Sequence, residues 1–179
     1  MKTHTTLLLT PLILLAALMA ACKPSGSSDS AAAGSGSAAA APNPYAVAAD
    51  AAIGKEVELT ANDQMKFNLE FFDVEAGQVV RLTLKNVGSM PKMSMGHNLV
   101  ILVDNVDEQA FVEAAMNAPV TDYVPADMAS SVIAHTKLLG PGESDSITFK
   151  APTKKGRYTF ICSFPGHFQV GMKGFMVVR

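Results

Sequence analysis

Tryptophan is missing from this chain of 179 residues, and cysteine occurs only twice. Two cysteines exclude a scaffold held by several disulfides; at most one bridge could form. Charge is scarce as well, at 17% of residues with a formal net charge of -2. Binding to a phosphate backbone needs a clustered basic excess, so nucleic acid is excluded as the partner. Long apolar runs are also lacking. The longest, Leu7–Ala21, is shorter than the roughly 20 residues of a membrane-spanning helix. What the chain has in quantity is methionine, ten of them, and phenylalanine, nine.

Lys2 and His4 precede the Leu7–Ala21 run. A basic start followed by a brief apolar stretch reads as a secretory signal. The run closes on Leu18-Met19-Ala20-Ala21-Cys22, small residues before a cysteine. This resembles a bacterial lipoprotein signal, whose cysteine becomes the acylated first residue of the mature chain. Met19 stands where such signals more often have Leu, and an ordinary signal with an incidental cysteine is the alternative. Residues 22–52 then hold 12 Ala, 6 Ser, 3 Gly and 3 Pro, with no Leu, Ile or Phe. Such a segment cannot bury enough apolar surface to offset its ordering entropy, so it reads as a flexible tether spanning roughly 30 Å. The expected organisation is a signal over 1–21, a tether over 22–52 lipidated at Cys22, and a folded domain over 53–179. Lys23 is not the acidic residue associated with inner-membrane retention. The resemblance therefore implies the periplasmic face of the envelope, at the outer membrane rather than the inner.

The remaining part is long enough for one core. Phe67-Leu69-Phe71 and Val80-Leu82-Leu84 alternate apolar with polar residues, which predicts half-buried strands. His97–Val103 is denser and predicts an interior strand; Ser146–Phe149, Arg157–Cys162 and Phe175–Val178 predict three more. Turn signals separate them at Glu75-Ala76-Gly77, Asn86-Val87-Gly88, Gly140-Pro141-Gly142 and Lys155-Gly156. Only Asp104–Ala118 carries helical spacing, through Val106, Ala110, Phe111, Ala114 and Ala115, and Pro119 closes it. The fold class predicted is all-β, a Greek-key β-sandwich with one helical insertion.

Near the C-terminus runs Cys162-Ser-Phe-Pro-Gly-His167-Phe-Gln-Val-Gly-Met172, and upstream lies Met95-Gly96-His97-Asn98. A single Cys, His or Met is usually packing. Two imidazoles, one thiolate and one thioether together are the donor set of a blue-copper electron-transfer site. The Phe-Pro-Gly turn after Cys162 folds the chain back, so that His167 faces the same point. Zinc takes the same thiolate and imidazoles, but a thioether adds little to a zinc site.

Residues 53–179 resemble the azurins, bacterial cupredoxins with a type 1 copper site. The matching stretches are Asn62-Asp-Gln-Met65, Pro91-Lys92, Met95-Gly-His-Asn98, Val132-Ile-Ala-His-Thr-Lys-Leu138 and Cys162-Ser-Phe-Pro-Gly-His167. The resemblance implies one copper per chain, cycling between Cu(II) and Cu(I). Its ligands would be His97, Cys162 and His167, with Met172 axial and the Gly96 carbonyl a weak contact. Asn98 would tie the two ligand loops together, with Ser163 and Phe164 beside the sulfur and the backbone near Phe164 donating to it. Four residues separate His167 from Met172, one more than in azurins and closer to auracyanin and plastocyanin. The disulfide of azurins has no counterpart, because Cys162 is needed as a ligand. Asn86 stands where many azurins have a buried titrating His, so no pH switch is expected there. His135 matches a surface residue of the family.

The function expected is one-electron transport in the cell envelope by a monomer, without enzymatic activity. The partners implied are c-type cytochromes or a periplasmic reductase or peroxidase. Met90, Met93, Met95, Pro165 and Phe168 are expected to form the docking surface for them. Away from that surface, acidic residues of the helix (Asp104, Asp107, Glu108, Glu113) are expected apart from basic ones of a hairpin (Lys150, Lys154, Lys155, Arg157). Two alternatives remain open. Met90, Met93 and Met95 could hold Cu(I) through soft thioethers, making the chain a periplasmic copper chaperone. Or the domain could be an adhesion module with structural copper.

Overall fold

The computed structural model describes residues 42–179; the signal, Cys22 and the tether as far as residue 41 lie outside the described residues. In chain order the strands are β1 (Lys55–Asn62), β2 (Lys66–Phe67), β3 (Phe71–Val74), β4 (Val79–Asn86), β5 (Val100–Leu102), β6 (Val132–His135), β7 (Ser144–Lys150), β8 (Gly156–Ile161) and β9 (Lys173–Val178). Two helices interrupt them, α1 (Lys92–Met95) before β5 and α2 (Glu108–Ala115) after it. The strands form two sheets, ordered β2-β1-β4-β7 and β3-β9-β8-β5-β6. This is the all-β sandwich the alternation predicts, with helical structure confined to the connections.

Each sheet turns one row of side chains inward. In β1, Val57, Leu59 and Ala61 are buried while Glu56 and Glu58 face water. Parallel pairing sets Val57 beside Leu82 and Leu59 beside Leu84 of β4. From the other sheet come Phe72, Phe160 and Met176 to close the core. The Phe160 ring has no exposed surface; it stacks on Phe72 at 5.6 Å between centroids and meets Phe67 edge-on at 5.4 Å. Aromatic contacts of this kind add to the area each ring buries.

Four features differ from the sequence expectation. Phe67–Phe71 is not one strand, because the chain crosses between sheets there. Asn68 bonds back to Thr60, while the Glu70 carbonyl already accepts from Phe175 of the opposite sheet. The interior strand spans only Val100–Leu102, and its register against β6 shifts between Ile101 and Leu102. Before it, the Leu99 N–H bonds to the Thr136 hydroxyl at 3.0 Å instead of to a neighbouring backbone. The helix is shorter than Asp104–Ala118. Asp107 caps its start by accepting from the Ala110 N–H at 3.1 Å, and Pro119 opens a separate short 3₁₀ turn, Pro119–Thr121. Finally, β1 and β6 are strands beyond those predicted.

Part of the stretch assigned by composition to the tether is attached to the domain. The Asn43 amide donates to the Ile133 carbonyl at 3.1 Å, the Tyr45 carbonyl accepts from Lys150 N–H at 2.8 Å, and the Tyr45 ring packs on the core. Contacts with the domain therefore reach residues before 53. Among the described residues no helix is long and apolar enough to cross a membrane.

Candidate metal centre

The connection from β8 to β9 runs from Cys162 to Met172, and its ends are joined. The Cys162 N–H donates to the Met172 carbonyl at 3.1 Å, and the Met172 N–H to the His167 carbonyl at 3.0 Å. Between them the chain reverses at Gly171, whose φ of +90° is a conformation side chains resist. This glycine lets a loop of four intervening residues bring the Met172 N–H back to the His167 carbonyl. The other half of the site approaches from α1. A Cβ on Gly96 would lie 2.6 Å from the Lys92 carbonyl and 3.0 Å from Leu138, so only glycine fits before His97. Upstream, the Asp63 carboxylate accepts from both the N–H and the hydroxyl of Ser89 at 2.9 Å and from the Met90 N–H at 3.3 Å. That clamp fixes the path of the chain into α1.

Three donors converge. The Cys162 Sγ lies 3.4 Å from His167 Nδ1 and 4.0 Å from His97 Nδ1, and one donor atom from each residue falls within 4.8 Å of the others. Cys162 and His97 have no exposed surface, His167 only 2%, and Met172 only 1%. Water is thereby excluded. His97 Nε2 turns away from the cluster and is buried without a hydrogen bond. The Asn62 carbonyl is near enough to favour its protonation, but short of bonding geometry.

Burial governs the protonation of all three. It pushes the Cys162 thiol up to about 12, against the backbone N–H groups of Asn98 and Phe164, which favour the thiolate. It pulls His167 down to about 4, with the charge of His97 adding to the effect. His97 is lowered by burial too, opposed by the Asn62 carbonyl and the Asp63 charge. Both imidazoles are therefore neutral at pH 7, and the sulfur has no protein cation to stabilise it as thiolate. A soft metal cation would supply that charge: it would take the two imidazoles as neutral ligands and hold the sulfur deprotonated. The residues fit copper on this donor chemistry.

Asn98 joins the two halves. Its side-chain oxygen accepts from Ser163 N–H at 2.9 Å, and its amide donates to the Ser163 hydroxyl at 2.8 Å and to the Asp122 carbonyl at 2.7 Å. The Ser163 hydroxyl in turn donates to the Tyr123 carbonyl at 2.7 Å. Asp122 and Tyr123 both have positive φ, 56° and 61°, and these bonds hold that strained pair in place.

The predicted docking residues are not equally open. Met93 is 87% exposed and Met90 40%, and Pro165 is exposed. Met95 and Phe168 are half-buried; Phe168 packs on the cluster around Ile161, with the Lys173 ammonium 4.9 Å from its ring centre. Phe164 is buried between Tyr123 and His167. Asn86 is buried, and its amide donates to the Leu139 carbonyl at 3.1 Å, a neutral anchor. His135 lies exposed on β6, away from the donor cluster. One pair from the acidic and basic groups expected apart in fact meets, Lys154 with Asp104, while Glu108 is held by Lys173 of β9, outside the hairpin. Sequence reading missed the Asn98 N–H on sulfur, the Asp63 clamp and Tyr123. The Asn62–Met65 stretch carried a signal for Asp63; nothing local pointed to Tyr123.

Residues 54–179 match the family described as copper binding proteins, plastocyanin/azurin family. Azurin of Achromobacter denitrificans is 43% identical over 123 residues, which covers 66% of this chain and 80% of that protein. Outer membrane protein H.8 of Neisseria gonorrhoeae is 45% identical over 109 residues, covering 60% of this chain and 58% of that one. Among solved structures, dithionite-reduced auracyanin from Roseiflexus castenholzii superposes with a TM-score of 0.63 at 37% identity. The match covers 72% of this chain and 99% of the auracyanin.

Proposed function

Because the chain belongs to the plastocyanin/azurin family of copper-binding proteins, we propose that it carries single electrons between redox proteins at the cell envelope. The observation that carries this reading is the convergence of Cys162, His97 and His167 in a dry pocket that leaves the thiol without a counter-charge. Those three residues would hold copper through Sγ and the two Nδ1 atoms. Met172 would add a weak thioether and Gly96 its carbonyl. Bound copper supplies the Cu(II)/Cu(I) couple.

The protein's part is to keep that couple cheap to cycle. The Cys162–Met172 loop is closed by backbone hydrogen bonds, and His97 is fixed by reciprocal bonds to Leu139 at 3.0 and 2.8 Å. Ligands held this way shift little between oxidation states. The N–H groups of Asn98 and Phe164 withdraw electron density from the sulfur and tune the potential. Every donor is committed to the metal, so the reading is of a carrier and not an enzyme. The same burial argues against a chaperone, whose metal must leave readily. Partners such as c-type cytochromes or a reductase would meet the monomer at the exposed Met90, Met93 and Pro165.

The deciding experiment is direct. The purified full chain plus Cu(II) should turn intensely blue and bleach reversibly on reduction. A pale complex would overturn the assignment.

The envelope location rests on the lipoprotein-like signal and on the relative named as an outer membrane protein. We place the anchor on Cys22, with the domain on the periplasmic face of the outer membrane. Cys22→Ala should move the protein from the membrane fraction to the soluble periplasm. Continued sedimentation with membranes would count against acylation at Cys22.

A further inference from the structure

The outer face of the five-stranded sheet is only half covered. Phe111 and Val112 of α2 pack over Val100, Leu102 and Ile161, which shields the β5 and β8 side. On the β3 and β9 side the same face is open. There Phe71 stands directly beside Phe175 across the strand pair, and Phe71 is 60% exposed. Arg157 of β8 lays its guanidinium over the Phe175 ring at 3.8 Å. The face continues into a groove of about 400 Å³, closed on its far side by β2 of the other sheet. Lys66, Arg157 and Lys173 line it, against one carboxylate, Glu70. Among the described residues neither Lys66 nor Arg157 forms an ion pair, whereas Lys173 is held by Glu108.

An exposed aromatic pair whose rim carries two cations outside any ion pair marks a binding surface. We propose that this groove docks an acidic polypeptide segment of a partner protein, one that places an apolar side chain against Phe71 and Phe175 and carboxylates against Lys66 and Arg157. Charge complementarity selects the sign of the partner. The concave shape selects a projecting segment over the flat surface of a membrane. The chain's own N-terminal region does not supply it, because Asp29 is the only acidic side chain in residues 1–41. The assignment does not rest on the redox reading, since it concerns binding and uses none of the donor side chains, although Gly171 and Lys173 of the lining flank Met172.

The test is fluorescence anisotropy with a labelled peptide, Glu-Glu-Phe-Glu-Glu-Phe-Glu-Glu, titrated with the copper-loaded full chain. Binding should weaken as salt rises. It should fall about tenfold or more in the double variant Lys66→Glu, Arg157→Glu, and also in Phe71→Ser. The equal charge change on the other sheet, Lys85→Glu with Lys150→Glu, should alter it little. A Lys/Phe peptide of the same length should not bind. Several results would overturn the proposal. One is absence of binding, and another is equal binding by both double variants. Displacement of the peptide by phosphatidylglycerol vesicles would assign the face to a membrane instead. Self-association lost only in the Lys66, Arg157 variant would assign it to a second copy of the chain.

Discussion

Replacing Cys162 by Ser is expected to abolish the blue colour and to lower copper affinity by more than about a hundredfold. Changes to groups that merely support metal ligands typically cost 10–100-fold, and this change removes the ligand itself. A hydroxyl is a poor match for a soft site that two imidazoles and a thioether otherwise define. The fold should survive, because Ser is nearly the same size and the backbone bonds that close the loop, from Cys162 N–H to the Met172 carbonyl and from Met172 N–H to the His167 carbonyl, do not involve the sulfur. The measurements are the visible spectrum and copper affinity by competition titration. A blue complex in the Ser variant would place the thiolate elsewhere.

The same residue sets a pH dependence in the metal-free protein. Its thiol is raised from an ordinary value of 9.0 to about 12 by burial. Above pH 9 the unfolded chain therefore releases a proton that the folded chain keeps. Stability contributed by the neutral thiol is complete below pH 9 and falls as pH rises toward 12. The metal-free wild type should lose stability across that window relative to metal-free Cys162→Ser. Parallel melting curves would contradict it.

Asn98→Ala is expected to be the most damaging change that leaves all the ligands in place. It strands the buried Ser163 N–H and the half-buried Asp122 carbonyl. A buried group without a partner costs about 1–3 kcal/mol and a half-buried one less, so a total of about 2–4 kcal/mol is expected. That corresponds to a fall in Tm of about 10 °C. The left-handed pair Asp122–Tyr123 also loses one of its ties. Blue colour should persist, because the Asn98 contact to sulfur is made by its backbone N–H. The reduction potential should nevertheless shift, as the Cys162 loop and the His97 loop are no longer pinned to each other. Unchanged stability and potential would remove Asn98 from its joining role.

Much of the centre is legible in the chain because type 1 copper chemistry compresses its signal. Three of the four predicted donors lie within one eleven-residue stretch, Cys162–Met172, and a turn alone is enough to bring them near one another. Burial alternation likewise exposes β4, β8 and β9, whose inward rows are local in sequence. The legible part ends where contacts become long-range. Asp63 reaches Ser89 and Met90 across a separate turn, and Tyr123 meets Ser163 from the end of the helical insertion. No periodicity encodes either contact. The charge pattern misleads for the same reason. The acids in and beside the helix and the cations of the hairpin look like separate faces along the chain, yet folding brings Lys154 to Asp104, and Glu108 of α2 finds Lys173 of β9.

By itself, then, the sequence determined which chemistry is available: one thiolate, two imidazoles and a thioether, in an all-β frame, with the only other cysteine far off in a lipoprotein-like signal. Residue type and short spacing suffice for that, since they set donor softness and local turns. The tertiary structure alone decided how the donors are used. It brought His97 within 4.0 Å of a sulfur 65 residues away, buried all of the donors, and raised the thiol by desolvation, which a bound metal cation would offset. Distance, burial and desolvation are properties of packed strands, and they do not exist until the two sheets have closed.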